Sequence, residues 1–216
     1  MTHLHQTERI ISAPHVWYHS GQWLDGPMVL SLEDRGLFQG AVVVERLRTF
    51  DKRIFCLTEH LNRFRCSTAA LSIDIEGIAS SMPEILNELL RRNGTPPDIG
   101  IVLLATPGTP GAEAATIIAH LSMLDLDRYD RMRREGERLV ITSVRQPSAE
   151  SIPRSVKHRS RLHYYLANQR AKDVDPSAVA VLVDDDGTIT ETASANILLV
   201  SEGVVHSPRL IKFCLA

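Results

Sequence analysis

The chain has 216 residues, of which 44% are hydrophobic and 23% are charged, so it has enough length for one large domain or two small ones. Its 26 acidic and 24 basic residues give a formal net charge of −2, so electrostatics offers no reason to expect nucleic acid or an anionic membrane as a partner. Composition therefore excludes a mainly disordered chain and favours a role on small molecules.

The first half of the chain alternates hairpin patterns with helical ones. Residues 16–24 are typical of a β-hairpin, because Val16-Trp17-Tyr18 and Gln22-Trp23-Leu24 flank His19-Ser20-Gly21. Thr58 is the expected N-cap of one helix, and Ser81 with Pro83 in the first turn marks the start of another. The predicted elements of this half are hairpins over 16–24 and 41–57, helices over 58–71 and 82–92, and strands over 99–105 and 116–123.

The second half of the chain is richer in strand patterns. Residues 128–138 are so charged that a short helix and a solvated crossing both fit them. The other predicted elements are strands over 139–144, 178–183 and 204–206, a helix over 160–174, and a strand or strand plus loop over 188–200. This order predicts an α+β fold with a small N-terminal domain over 1–137 and the start of a larger, β-rich domain over 138–216.

Targeting and cysteine patterns favour the cytoplasm. The first eight residues are polar and lead to no small-residue cleavage site, and no apolar run reaches membrane-spanning length. The three cysteines, Cys56, Cys66 and Cys214, are odd in number and lack CxxC spacing. This pattern argues against a disulfide framework and against a structural zinc site. We therefore expect a cytoplasmic protein without membrane association.

The sequence lacks the common local motifs of catalysis. Among the nine histidines, the pairs His3/His5, His15/His19 and His158/His163 lack an acidic or cysteine partner at metal-ligand spacing, and no GxSxG, GxGxxG or GxxxxGK[ST] motif is present. Lysine is scarce, with twenty Arg against only Lys52, Lys157, Lys172 and Lys212. A lysine amine can act as a nucleophile, whereas an arginine guanidinium stays protonated. Each of the four lysines is therefore a candidate for amine chemistry.

Four motifs stand in order along the chain. They are Asp34-Arg35-Gly36 followed by Glu45, the segment Glu59-His60-Leu61-Asn62-Arg63, the segment Pro153-Arg154-Ser155-Val156-Lys157-His158-Arg159, and the run from Thr190-Glu191 to Asn196-Ile197-Leu198. In order and spacing they resemble the class IV (fold type IV) pyridoxal-phosphate enzymes. That family includes branched-chain and D-amino acid aminotransferases and aminodeoxychorismate lyase. The resemblance covers residues 16–208 and implies a two-domain enzyme.

The resemblance implies one cofactor, pyridoxal 5'-phosphate, and roles for three residues. Lys157 matches the lysine that forms the Schiff base with the cofactor and later moves the Cα proton. Arg63 matches the arginine that holds the cofactor phosphate. Glu191 matches the carboxylate that pairs with the protonated pyridine nitrogen and so keeps the ring an electron sink. An amino acid and a 2-oxo acid are the implied substrates, and a homodimer is the expected assembly.

Three functions stay open from the sequence. The first is an aminotransferase, the second is aminodeoxychorismate lyase, which uses the same lysine for an elimination, and the third is a non-catalytic truncated fragment. Members of the family continue through a helix start and a Gly/Thr-rich loop whose backbone amides bind the phosphate. Residues 211–216 do not fit that pattern. We therefore expect an incomplete C-terminal domain and weak cofactor binding.

Overall fold

The structure is a computed structural model that describes residues 9–10 and 15–208. Expectations on residues 1–8, Lys212, Cys214 and 211–216 lie outside the described residues. The helices are α1 (Arg35–Phe38), α2 (Leu57–Ala70), α3 (Glu76–Ala79), α4 (Met82–Arg92), α5 (Leu126–Glu135) and α6 (Leu162–Val174). The strands are β1 (Arg9–Ile10), β2 (Trp17–His19), β3 (Gln22–Leu24), β4 (Val43–Phe50), β5 (Arg53–Ile54), β6 (Gly100–Thr106), β7 (Thr116–Met123), β8 (Leu139–Arg145), β9 (Val179–Val183), β10 (Ile189–Thr192), β11 (Leu199–Ser201) and β12 (Val204–His206).

The chain divides into two compact units that do not follow sequence order. Unit 1 consists of Met1–Leu126 with Lys157–Ser160, and unit 2 consists of Asp127–Val156 with Arg161–Ala216. The segment that carries Lys157 thus belongs to unit 1 although it lies far along the chain. The domain boundary between residues 137 and 138 stays a prediction.

Unit 1 is built on an antiparallel sheet, which has seven strands within the described residues. Its order is β3-β2-β7-β6-β4-β5, and β1 pairs with β7. Glu45 on β4 lies opposite Leu103 on β6, whereas Arg46 lies opposite Val102, which in turn pairs with His120 on β7. Because paired residues share a face of the sheet, Glu45 lies on one face and both Arg46 and His120 lie on the other.

The core of unit 1 lies between this sheet and two helices. Helix α2 packs on β4, and helix α4 packs on β7 and β2. The buried side chains between them include Leu47, Phe64, Leu86, Leu89, Ile101, Leu103 and Leu121. Burial of one such side chain contributes roughly 1.5–3 kcal/mol. The set therefore supplies much of the driving force that fixes α2 against the sheet.

The short helix α1 explains the Asp34-Arg35-Gly36 motif. The Asp34 carboxylate caps the helix by accepting a hydrogen bond from the Gly36 N–H at 2.7 Å, and it accepts a second from the Thr116 hydroxyl at 2.7 Å. A Cβ on Gly36 would lie 2.3 Å from Thr106 Cγ2. Only glycine fits there without a shift of Thr106, so the motif fastens α1 to the ends of β6 and β7.

Unit 2 contains a β-α-β arrangement. Strands β8 and β9 are parallel and are connected through α6, and β10 pairs antiparallel with β9. Tyr164, Ala167 and Ala171 of α6 pack against Ala180 and Leu182 of β9. Strands β11 and β12 form a separate hairpin. In the part of the chain that the structure describes, every helix is too short or too polar to span a bilayer.

Most predicted elements are confirmed, and the corrections fall at their ends. Helix α2 begins at Leu57 with Cys56 at the N-cap position, so Thr58 lies in the first turn and does not cap the helix as predicted. Only two residues separate β5 from α2, and helical geometry therefore starts before Thr58. Ser81 occupies the N-cap position of α4 as predicted, but its side chain makes no capping hydrogen bond. Residues 126–135 form α5, so the helix alternative holds there, and over 188–200 the strand-plus-loop alternative holds, with β10 and the start of β11 at its two ends.

Candidate active site

The Lys157 segment lies along the edge of β4. Val43 pairs antiparallel with His158, the Val44 N–H donates to the Lys157 carbonyl at 2.9 Å, and the Arg159 N–H donates to the Val42 carbonyl at 2.9 Å. The Ser160 hydroxyl also donates to the Gly40 carbonyl at 2.6 Å. The backbone on both sides of Lys157 is therefore fixed by hydrogen bonds within unit 1.

Helix α2 places Arg63 near this segment. The buried hydroxyl of Ser67 accepts a hydrogen bond from the Lys157 N–H at 3.1 Å. Arg63 precedes Ser67 by four residues, and residues at that spacing lie on the same face of a helix about 5–6 Å apart. The structure thus brings two of the three predicted site residues, Lys157 and Arg63, to one region of unit 1.

A buried carboxylate orients Arg63. Glu45 on β4 accepts hydrogen bonds from Arg63 Nε at 2.8 Å and from Arg63 Nη2 at 2.7 Å. His60 Nδ1 lies 3.1 Å from Glu45 Oε1, and the Arg46 N–H donates to the same oxygen at 2.8 Å. The two hydrogen bonds from Arg63 to Glu45 fix the plane of the guanidinium. The remaining nitrogen of Arg63, Nη1, makes no hydrogen bond with a described residue.

Glu45 stays ionised although its side chain is buried. Burial alone would raise its pKa, but hydrogen bonds from His60, Arg63 and the Arg46 N–H, together with the Arg63 charge, outweigh that effect. The pKa of Glu45 is lowered to about 2. The carboxylate is therefore negative at neutral pH and neutralises part of the Arg63 charge.

Glu191 in unit 2 has a different environment. Its Oε1 accepts a hydrogen bond from the Tyr164 hydroxyl and another, at 3.4 Å, from Gln146 Nε2. Gln146 Nε2 also lies 3.2 Å from the Tyr164 hydroxyl. All three side chains are buried. Glu191 Oε2 accepts no hydrogen bond from a described residue, and among those residues no Lys, Arg or His forms an ion pair with Glu191.

A group of basic side chains lies on unit 1 on the face opposite Glu45. His120 is buried there, and its Nδ1 donates to the Leu121 carbonyl at 2.9 Å. Burial lowers the pKa of His120, and the positive charges of Arg159 and Arg46 lower it further. Burial also lowers the pKa of Arg159. His120 is therefore neutral at neutral pH.

Taken separately within its own unit, each predicted side chain has the chemistry for one group of pyridoxal phosphate. Lys157 offers a primary amine for the aldehyde, Arg63 Nη1 offers an unused donor for the phosphate, and Glu191 Oε2 offers an unused acceptor for the pyridine N–H. Within residues 9–10 and 15–208, no group of three or more His, Cys, Asp or Glu is arranged to bind a metal ion.

Sequence reasoning missed the residues that hold the predicted ones. Ser67, Tyr164 and Gln146 were not predicted as site residues, because each lies in a different element from the residue it contacts. The spacing from Arg63 to Ser67 is the one signal that the sequence contained for Ser67. For Gln146, which lies 45 residues from Glu191, only the fold brings the two together.

The sequence matches one family along most of its length. The profile of the family described as amino-transferase class IV matches residues 42–216. A Methanocaldococcus jannaschii protein with the provisional name branched-chain-amino-acid aminotransferase is 30% identical over 201 residues, which cover 88% of this chain and 67% of that protein. D-alanine aminotransferase of Staphylococcus haemolyticus is 24% identical over 196 residues, with 87% and 67% coverage. The chain thus spans about two thirds of the length of these relatives.

Solved structures with the same fold are also aminotransferases. The T.th. branched-chain amino acid aminotransferase, complexed with N-(5'-phosphopyridoxyl)-L-glutamate, matches with a TM-score of 0.82 at 23% identity, over 96% of this chain and 70% of that chain. The branched-chain aminotransferase of Thermoproteus uzoniensis, with norvaline, matches with a TM-score of 0.81 at 20% identity, with 94% and 71% coverage. At these identities the likeness shows a shared fold.

Proposed function

Because the chain belongs to the amino-transferase class IV family, we propose that it transfers an amino group between an amino acid and a 2-oxo acid with pyridoxal phosphate as cofactor. The family is pyridoxal-phosphate-dependent, and the fold type IV class expected from the sequence is confirmed. The observation that carries the proposal is the Lys157 segment, whose backbone is hydrogen-bonded on both sides and lies beside the helix of Arg63.

The cofactor, when bound, draws electrons from the Cα–H bond of an amino acid through its protonated ring. In this proposal the Lys157 amine binds the aldehyde and later carries the Cα proton at Nζ. Arg63 Nη1 binds the phosphate while Glu45 holds the guanidinium in place. Glu191 Oε2 accepts the pyridine N–H.

Two further parts of the proposal concern assembly and location. We propose a homodimer, which the exposed apolar side chains around α1 support: Leu32, Leu37 and Phe38 are 80%, 54% and 77% exposed. Sedimentation velocity of the wild type and of the Phe38→Ser variant tests this, because a weaker dimer is expected in the variant.

We also propose a cytoplasmic location, which the exposed thiols of Cys56 and Cys66 support, since unpaired exposed thiols suit a reducing compartment.

The two other functions left open by the sequence are not favoured. The relatives and the matched structures named above are aminotransferases, so neither the lyase nor the non-catalytic fragment gains support from them.

Reductive labelling tests the proposal directly. The protein is incubated with pyridoxal phosphate, reduced with borohydride, digested and mapped by mass spectrometry. We expect the label on Lys157, with loss of labelling in the Lys157→Arg variant and normal labelling in the matched Lys172→Arg variant. A label on Lys52, Lys172 or Lys212 in the wild type would contradict the proposal.

A further inference from the structure

We propose that Tyr164 and Gln146 are positioning residues that hold Glu191 so that its Oε2 alone meets the pyridine nitrogen of the cofactor. This inference rests on the proposed function. The carboxylate sits on β10, the tyrosine in the first turn of α6, and the glutamine directly after β8. Three separate elements of unit 2 therefore converge on one buried polar cluster.

The direction of each hydrogen bond in this cluster follows from chemistry. An ionised carboxylate can only accept, so the Gln146 atom at 3.4 Å from Glu191 Oε1 is the amide nitrogen, and the Tyr164 hydroxyl donates to the same oxygen. The amide nitrogen also donates to the tyrosine oxygen at 3.2 Å. Glu191 Oε1 thus receives two donors, and the carboxylate cannot rotate without breaking both.

Tyr164 is suited to stay a donor. Burial raises its pKa, and the nearby negative charge of Glu191 raises it further. The hydroxyl therefore remains protonated across the pH range in which an enzyme works. The Arg161 guanidinium lies 4.1 Å from the centre of the Tyr164 ring and donates to the Ala193 carbonyl, so a cation–π contact also holds the ring.

The donors of the cluster are neutral, and this decides what the carboxylate can do. An arginine or lysine in their place would neutralise Glu191 and compete with the protonated pyridine nitrogen. Two neutral donors orient the carboxylate without placing a positive charge on it that would compete with that nitrogen. A carboxylate that pairs with a cationic group of a ligand needs donors that orient it but carry no charge, and the donors to Glu191 are of this kind.

The Tyr164→Phe variant tests the inference, because it removes the hydroxyl and keeps the ring under Arg161. Tyr165→Phe is the matched control, since Tyr165 is the adjacent residue and is 60% exposed. The first readout needs no cofactor. Ultraviolet titration of the phenols is expected to lose one late-ionising tyrosine in Tyr164→Phe and to keep that late ionisation in Tyr165→Phe.

The second readout is the ¹⁵N chemical shift of pyridine-labelled pyridoxal phosphate bound to the full chain. In Tyr164→Phe we expect it to move toward the value of an unprotonated ring, and we expect kcat to fall about tenfold with KM little changed, as for loss of one hydrogen bond that acts on the reacting ring. Gln146→Leu is expected to move both readouts in the same direction by a smaller amount. Tyr165→Phe is expected to match the wild type.

The outcomes separate the inference from the proposed function. If the wild type at saturating cofactor gives neither a bound-cofactor signal nor a borohydride label on Lys157, the proposed function is wrong and the inference fails with it. If Glu191→Gln shifts the ¹⁵N signal and Tyr164→Phe leaves it at the wild-type value with unchanged kcat, the inference alone is overturned. In that case Tyr164 serves only to pack α6 on the sheet. Thermal unfolding of each variant shows whether it has kept its fold.

Discussion

Glu45 in unit 1 and Glu191 in unit 2 are both buried carboxylates on strands, and they are held in opposite ways. Glu45 is contacted by the Arg63 guanidinium and by His60, and its pKa is lowered to about 2. Glu191 is contacted by a hydroxyl and an amide, and one of its oxygens accepts nothing from the described residues. The first carboxylate has a charged partner inside the protein, whereas the hydrogen-bond donors to the second are neutral groups.

This difference in partners indicates different roles for the two buried carboxylates, Glu45 and Glu191. A buried ion pair with a two-point hydrogen bond fixes geometry, and its loss leaves an uncompensated partner in the interior. A buried carboxylate with only neutral donors gains less from folding, and its charge remains available to a ligand. We therefore expect the two residues to differ in the property that their substitution changes, which is stability for Glu45 and chemistry for Glu191.

The largest expected effect is on the reaction rate of Glu191→Gln. The amide keeps the size and hydrogen bonding of the side chain but loses the charge that holds the pyridine nitrogen protonated. We expect kcat to fall by about a hundredfold or more, the scale for lost electrostatic stabilisation of a reacting group. Urea unfolding should give a midpoint close to that of the wild type. A normal rate would return Glu191 to the role of an ordinary buried polar residue.

The next effect is on the stability of Glu45→Gln. This substitution leaves Arg63 partly buried without its carboxylate, and breaking one partner of a buried pair costs about 3–5 kcal/mol. We expect a loss at the low end of that range in the free energy of unfolding at pH 7, measured by urea titration, because the Arg63 side chain is one quarter exposed. Equal stability of variant and wild type would mean that the Glu45–Arg63 ion pair does not contribute to the free energy of unfolding.

The pH dependence of unfolding sharpens the same contrast. Because the folded-state pKa of Glu45 lies below its ordinary value of 4.5, the unfolded state binds more protons in acid, and the stabilisation is complete only above about pH 4.5. It is lost as the pH falls from about 4.5 to about 2 and amounts to about 3 kcal/mol. We expect the free energies of wild type and Glu45→Gln to converge over this window, and parallel curves would contradict the assignment.

The smallest effect is expected at Glu88 on α4. The Arg91 hydrogen bond lowers its pKa to about 2, against a small opposing effect of burial, and Arg92 contributes in the same direction. The pKa thus equals that of Glu45, but this ion pair lies on the helix surface, where water and salt screen it. We expect Glu88→Gln to have the thermal midpoint of the wild type in calorimetry. A drop as large as that of Glu45→Gln would show that burial is not what separates the two.

Periodicity predicted the strands β6 and β7 and the helix α4 almost to the residue, because long amphipathic elements carry a strong local signal. It missed α1 and α3, which are only four residues long. The motifs predicted Lys157, Arg63 and Glu191, whose roles stay predictions. Residues that hold them, such as Tyr164 and Gln146, depend on contacts between distant elements that no local pattern encodes.

The position of the Lys157 segment has a consequence for how the chain acquires its structure. Ser160 bonds to Gly40 across 120 residues of sequence, so this edge of β4 closes only after the intervening part of the chain has been synthesised. Until then residues 42–44 present an unpaired strand edge, a site where two nascent chains can pair wrongly. A fragment ending at residue 126 would keep that edge permanently, and it would regain its cover only if the 157–160 tetrapeptide were supplied to it.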